Sequence, residues 1–291
     1  MTDKQTTDVS TPVQHGHGHG GHGHDHNFAA ANKEFFDKSP EYSEAYDSNP
    51  VYIDTVNKIA TEMLKMHPFD QNTTRMMDFA CGTGLASRVF LPHVKSLVGV
   101  DISQGMLTQF NKRADQLESG DKTKIRSVCI EIKGEEGELE KLGGEKFDII
   151  TCSMAFHHIS DLPKMTRNLV SLLNKGGALI IADNSASMAH HGHDHGHGHG
   201  HEHGHGHEHQ EVNKDSSNDQ NSKGAAATLD MPPEQFDKVV PHQQGFTKEA
   251  MKELFEGAGL VDFEMREEIL RVKFSGNVEI VAFVAKGVKA E

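Results

Sequence analysis

The sequence predicts an α/β fold built on a mostly parallel sheet, and three observations carry that expectation. Short apolar runs alternate with segments of helical periodicity from about residue 70 to residue 183. The runs MMDFA, FDIITCS and ALIIA are apolar at successive positions, as strands covered by helices on both faces require. The last two strand-like runs are joined only by a turn around Ser275, Gly276 and Asn277. That connection is too short for a crossover and implies an antiparallel hairpin.

The elements follow in order. Residues 28–66 read as helical, with Phe35, Phe36, Ile53, Val56, Ile59, Ala60, Met63 and Leu64 apolar and breaks at Pro40 and Pro50. Residues 76–80 form a first strand that ends in CGTG, and a helix runs from Leu85 to a stop at Pro92. Residues 96–100 form a second strand ending at Asp101. Ser103 caps the next helix, whose Met106, Leu107, Phe110, Ala114 and Leu117 share one face. Residues 125–132, 147–153 and 178–182 are the third, fourth and fifth strands. A helix carrying Leu162, Met165, Leu169 and Leu172 separates the last two and stops at Gly176 and Gly177. Thr247 caps a helix to about Ala258, with Phe246 and Met251 placed as a hydrophobic staple. Residues 261–274 and 279–286 are the hairpin strands.

Two biased tracts interrupt this pattern. Residues 1–27 are polar and then Gly/His-rich, with His15, His17, His19, His22, His24 and His26, and are expected to be disordered. The second tract contains His190, His191, His193, His195, His197, His199, His201, His203, His205, His207 and His209. With its polar flanks it reads as a disordered insertion at 186–228 within one domain spanning 28–291. Neutral imidazoles on such chains suit Zn, Ni or Cu, without the fixed geometry of a catalytic centre.

The formal net charge of −14 repels phosphate backbones and argues against a nucleic-acid partner. Below roughly pH 6 the 22 histidines add positive charge, so the charge of any one surface depends on pH. Cys81, Cys129 and Cys152 lie in or beside apolar runs with no CxxC spacing, which points to buried, reduced thiols in the cytoplasm or nucleus. No apolar leader and no run near 18 apolar residues is present, so no membrane partner is expected. A small-molecule substrate is the remaining partner class, and nothing in the pattern specifies an oligomeric state.

The chemistry concentrates in Asp78-Phe79-Ala80-Cys81-Gly82-Thr83-Gly84, followed 23 residues later by Asp101 at a strand end. Strand, glycine turn and helix place free N–H groups where an anionic group can dock. Gly82 and Gly84 permit a tight turn and close approach of backbone to ligand. Asp101 can accept two ribose hydroxyls. A dinucleotide fingerprint would need a third glycine where Ser87 stands.

These residues resemble the class I S-adenosylmethionine-dependent methyltransferases, whose first motif reads acidic-x-(Gly/Ala)-x-Gly-x-Gly. Asp78, Ala80, Gly82 and Gly84 match it. The resemblance covers about residues 70–183, and residues 240–286 by the order of elements. It implies a Rossmann-like seven-stranded sheet with helices on both faces and the last strand inserted antiparallel. It also implies S-adenosylmethionine as cofactor, with Gly82, Thr83 and Gly84 facing its methionine portion and Asp78 holding its amino group. Asp101 would then take the ribose, Ile102 or Met106 would flank adenine, and Ser153 and Met154 would line the cofactor's edge. For the acidic residue that the family often places after the third strand, Glu135 of Gly134-Glu135-Glu136 is the nearest match.

Candidates for a general base or a substrate contact are His157, His158 and His242, each of which could equally pack beneath a loop. Phe36, Tyr42 or Tyr46 could supply aromatic walls that suit a cationic sulfonium. Methyl transfer to O, N or C of a small molecule is the expected function. The alternative is a metal-sequestering protein on a non-catalytic scaffold of the same fold.

Overall fold

The computed structural model describes residues 27–38, 44, 47–186, 233–273 and 279–291. Every histidine of the two tracts lies outside them, as do Tyr42, Tyr46, the hairpin turn at 275–277 and all but the first residue of the expected insertion.

Seven strands make one sheet: β1 (Arg75–Phe79), β2 (Ser96–Asp101), β3 (Ile125–Cys129), β4 (Phe147–Ser153), β5 (Leu173–Asn184), β6 (Leu260–Lys273) and β7 (Glu279–Lys289). Their order is β3-β2-β1-β4-β5-β7-β6. Strands β1 to β5 pair in parallel, and β7 enters antiparallel between β5 and β6. This is the seven-stranded, mostly parallel architecture expected from the sequence. The chain winds outward from β1 through β2 to β3, then returns to β4 on the other side of β1. The loops leaving β1 and β4 therefore diverge, and a crevice opens at the carboxyl ends of the central strands.

Alternation along each strand sends successive side chains into two cores. On one face Met77, Ile150, Ile181 and Phe283 pack with Leu169 of the helix α5 (Leu162–Ser171) and Phe255 of α7 (Lys248–Gly257). On the other, Met76, Ile149, Ile180 and Val284 meet Ile59 and Met63 of α2 (Pro50–Met63), Phe90 of α3 (Leu85–Phe90) and Phe110 of α4 (Gln104–Ala114). A third, smaller cluster joins Phe35 of α1 (Phe28–Lys38) to Phe236, Val239 and Val240 in and just after α6 (Pro233–Val239). Helix α1 lines the crevice, and α6 packs against α1.

The caps expected at Ser103 and Thr247 form, and Asp161 adds a third. Ser103 Oγ accepts from Met106 N at 3.1 Å, Thr247 Oγ1 from Ala250 N at 3.2 Å, and Asp161 Oδ1 from Lys164 N at 3.0 Å. Phe246 and Met251 are both buried, as a staple requires.

Three expectations need correction. The third strand stops at Cys129, not at residue 132, because its partner β2 ends opposite it at Asp101. Residues 130–133 leave the sheet, and the Glu138 carboxylate accepts the N–H groups of Lys133 and Gly134 to turn the chain. Cys129 is exposed instead of buried, since β3 is the sheet's edge. The helix before β5 ends at Ser171, and Gly176 and Gly177 lie inside β5. There Gly177 lets the strand pass close to the Asp148 carbonyl, where a β-carbon would sit 2.9 Å away.

Gly99 on β2 shows how tightly the sheet supports the crevice floor. A β-carbon there would lie 2.7 Å from Phe110 Cε2 and 2.9 Å from Cys81 Sγ. Gly99→Ala is expected to destabilise the protein by about 2 kcal/mol through overpacking. Urea unfolding followed by circular dichroism checks this, with a lowered midpoint at unchanged slope as the expected result.

Candidate active site

The link between β1 and α3 is strained on purpose-built geometry. Ala80 and Gly82 both have φ of 54°, and Gly84, which caps α3, has φ of 81°. Glycine adopts this left-handed region freely, whereas alanine does so at a cost. Ala80 thus stores strain of about 1 kcal/mol, which the surrounding hydrogen bonds must offset. Those bonds come from the neighbouring strand. Cys81 N donates to Val100 O at 3.0 Å, and Gly82 N donates to Asp101 Oδ2 at 2.8 Å. The other carboxylate oxygen of Asp101 accepts from Ser103 N at 2.9 Å. Burial raises the Asp101 carboxyl above its ordinary range, and the N–H groups of Ser103 and Gly82 oppose that rise. A carboxylate offers about four acceptor positions, so capacity remains for a ligand.

The crevice encloses about 420 Å³, within the range of small-molecule sites. Ala80, Gly82, Thr83, Asp101, Ile102, Met106 and Ser153 line it, as do Met154 and Phe36. Met154, at the end of β4, shares the positive φ of 54° seen at Ala80, so backbone strain sits at the ends of two adjacent central strands. A β-carbon on Gly82 would meet nothing within 4 Å, so open space stands directly over the turn. The space over Gly82 and the Asp101 carboxylate suit the adenosyl and methionine parts of S-adenosylmethionine.

Residues 77–179 match the methyltransferase domain family. An uncharacterized methyltransferase of Schizosaccharomyces pombe is 36% identical over 108 residues, covering 37% of this chain and 38% of the relative. The uncharacterized methyltransferase YcgJ of Bacillus subtilis is 30% identical over 114 residues, covering 38% of this chain and 41% of the relative. The matched region therefore spans about two fifths of each relative. The fold is similar to that of the YcgJ crystal structure, with a TM-score of 0.51, 17% identity and coverage of 80% of this chain and 98% of that one. It is also similar to the magnesium protoporphyrin IX methyltransferase of Synechocystis PCC 6803 with bound SAH, with a TM-score of 0.55, 12% identity and coverage of 91% and 100%.

Three motif residues sit differently from the sequence expectation. Asp78 is 1% exposed and does not line the crevice. Its carboxyl accepts from Ser87 Oγ and, at 2.9 Å, from Thr151 Oγ1, which ties the start of α3 to β4 beneath the turn. Burial pushes its pKa up to about 6. Gly84 faces the core: a β-carbon there would lie 2.6 Å from Phe110 Cδ2, so this glycine admits a ring rather than a ligand. Glu135 is exposed and outside the crevice, and Glu131 is the acidic residue on that wall. The early end of β3 explains the change, because residues 130–133 swing along the crevice and the turn at Gly134 carries Glu135 away.

The three histidines also part company. His158 lines the crevice, whereas His157 and His242 do not. His157 is buried with Nδ1 2.7 Å from Asp183 Oδ1, and its main-chain N–H donates to Asp183 Oδ2 at 3.0 Å. Burial would raise the Asp183 carboxyl, but His157 and the N–H groups around it hold it below its ordinary value. His242 packs its ring 5.6 Å from Phe246, and its N–H donates to the His157 carbonyl at 3.3 Å. His158 places Nδ1 2.8 Å from the Val239 carbonyl. A carbonyl cannot donate, so Nδ1 carries the proton and Nε2 the lone pair. Burial, and next the adjacent His157 ring, push the His158 pKa down to about 3. Its ring stands edge-on to Phe36 at 5.8 Å. Among the described residues no group of three or more His, Cys, Asp or Glu is arranged to hold a metal ion.

Several contributors escaped sequence reasoning. Asp47, far from the turn in sequence, accepts from Thr83 Oγ1 at 3.0 Å and pairs with Arg113. Asp37 of α1 accepts from Ser103 Oγ at 2.8 Å and Gly105 N at 3.0 Å, fastening α1 across the start of α4. No spacing rule connects such distant partners. Asn32 was detectable: it stands four residues from both Phe28 and Phe36, a polar group on an apolar helical stripe.

The raised pKa of Asp78 yields a pH test. A carboxyl whose folded pKa exceeds its unfolded value contributes stability that is complete below about pH 4 and lost as pH rises through about 6. Asp78→Asn removes that titration. Between pH 5 and pH 8 the stability of wild type relative to Asp78→Asn is expected to fall by about 1 kcal/mol. Urea denaturation at both pH values measures it, and an unchanged difference would contradict the burial argument.

Proposed function

We propose that this protein transfers a methyl group from S-adenosylmethionine to a small molecule. The observation that carries the reading is the Asp101 carboxylate. It braces Gly82 N at 2.8 Å and also lines an open crevice at the sheet's switch point. The bound SAH in the Synechocystis enzyme of similar fold supports the same use of the crevice here. When bound, S-adenosylmethionine supplies a methyl group already activated by a sulfonium, so positioning and exclusion of water can provide much of the rate.

The chain's own residues then have defined tasks. The Thr83 amide would receive the carboxylate of the methionine portion, and the remaining acceptor capacity of Asp101 the ribose hydroxyls. Ile102 and Met106 give adenine an apolar seat. Phe36, Phe79 and Met154 exclude water where the methyl group moves. His158 Nε2 accepts a hydrogen bond from an O–H or N–H of the methyl acceptor and so orients the acceptor atom. Whether the acceptor atom is O, N or C follows from the substrate, which a labelled-methyl screen against metabolite extracts would identify.

Calorimetric titration with S-adenosylhomocysteine is the direct test. Wild type is expected to bind. Asp101→Ala is expected to bind at least about tenfold more weakly, because charge-assisted bonds to the ribose are lost. Asp101→Asn should fall between the two. Folded wild-type protein that releases no heat would remove the reading.

A further inference from the structure

One main-chain oxygen ties two crevice residues together. Val239 O accepts from His158 Nδ1 at 2.8 Å and from Asn32 Nδ2 at 2.8 Å. The two donor nitrogens are therefore no further apart than twice that distance. Asn32 is 5% exposed, and both it and His158 line the crevice.

The amide orientation of Asn32 follows from chemistry. Its nitrogen donates to Phe28 O at 2.9 Å as well as to Val239 O. Two carbonyls can be faced only by the NH₂ end, so a flipped amide would set oxygen against oxygen. Both N–H groups are thus occupied, and Asn32 Oδ1 is left buried with no hydrogen-bond partner. Native proteins rarely leave such an acceptor unmet, and one beside a ligand crevice is explained when the ligand meets it. His158 has one donor, and it is likewise already used by Val239 O, so Nε2 can only accept.

Resting on the methyl-transfer reading above, we propose that Asn32 Oδ1 and His158 Nε2 together recognise two neighbouring hydrogen-bond donors on the methyl-accepting molecule. The substrate class is then an apolar body bearing paired O–H groups, or an amino group with two N–H bonds. Phe36, Val56, Phe79, Met154 and Ile159 supply the apolar wall against which such a body would lie. A carboxylate presents no donor and a tertiary amine at most one, so neither meets both acceptors and both are excluded as the recognised group. A site built to bond an O–H or N–H discriminates strongly against an analogue lacking it, because its own buried acceptor is left bare.

The experiment uses the full chain and matched probe pairs. One pair is a catechol and its mono-O-methyl ether. The other is a primary arylalkylamine and its N,N-dimethyl derivative. S-adenosylhomocysteine binding is measured first, by calorimetry. Its absence in folded wild type removes the methyltransferase reading and this proposal with it. With binding present, methyl transfer from labelled S-adenosylmethionine is expected for the two-donor member of at least one pair. That member is expected to be preferred at least about tenfold in kcat/KM over its capped partner. Turnover of the catechol marks paired hydroxyls as the source, and turnover of the amine marks an amino group. Asn32→Leu should retain S-adenosylhomocysteine affinity within about twofold and bring the preference close to unity, mainly through KM. Equal turnover of capped and uncapped probes by wild type, or no turnover of any two-donor probe despite cofactor binding, overturns the proposal even if Asn32→Leu fails to fold.

Discussion

The bond between Gly82 N and the Asp101 carboxylate is the constraint on which the rest of the site depends. It joins the turn after β1 to the end of β2, and it holds a backbone that would otherwise relax. Ala80 sits at a φ that alanine disfavours, and the turn keeps it there because Asp101 and Val100 take the next two amides. Ser103 N occupies the other carboxylate oxygen, so α4 starts in register with the same group. Ser103 in turn is held by Asp37, which brings α1 down over the crevice. A chain of short-range contacts thus runs from the sheet to the covering helix, and each link is a hydrogen bond to a carboxylate.

Support from below is of a different kind. Asp78, Ser87 and Thr151 form a small polar knot in an otherwise apolar floor, and Phe110 fills the space that Gly84 and Gly99 leave free. Knot and ring together fix the height of the turn above the sheet. Asp47 and Arg113 clamp it from the side through Thr83. Buried charges of this sort are costly unless paired, and here each has a partner that also positions the turn.

Much of the architecture was legible because it is written in local patterns. Apolar runs on both faces placed β1, β4 and β5 at the centre, and caps at Ser103 and Thr247 marked helix starts within a residue. The glycine turn and Asp101 were legible because motif and strand end coincide. What stayed hidden depends on contacts across the chain. Whether an acidic residue after β3 faces the crevice turns on where the edge strand stops pairing, which is why Glu131 stands where Glu135 was expected. The role of Gly84 required knowing where Phe110 packs, and the choice among His157, His158 and His242 required knowing which ring nitrogen meets which oxygen.

The shared acceptor at Val239 has a consequence for how this site can vary. A main-chain oxygen is the same whatever residue bears it, so no exchange of side chain at that position alters its chemistry. What decides where the proton rests on the neighbouring imidazole is the placement of an entire helix, held by a few phenylalanine and valine side chains. Packing in a minor cluster remote from the sheet thereby governs the polarity that a visiting molecule meets.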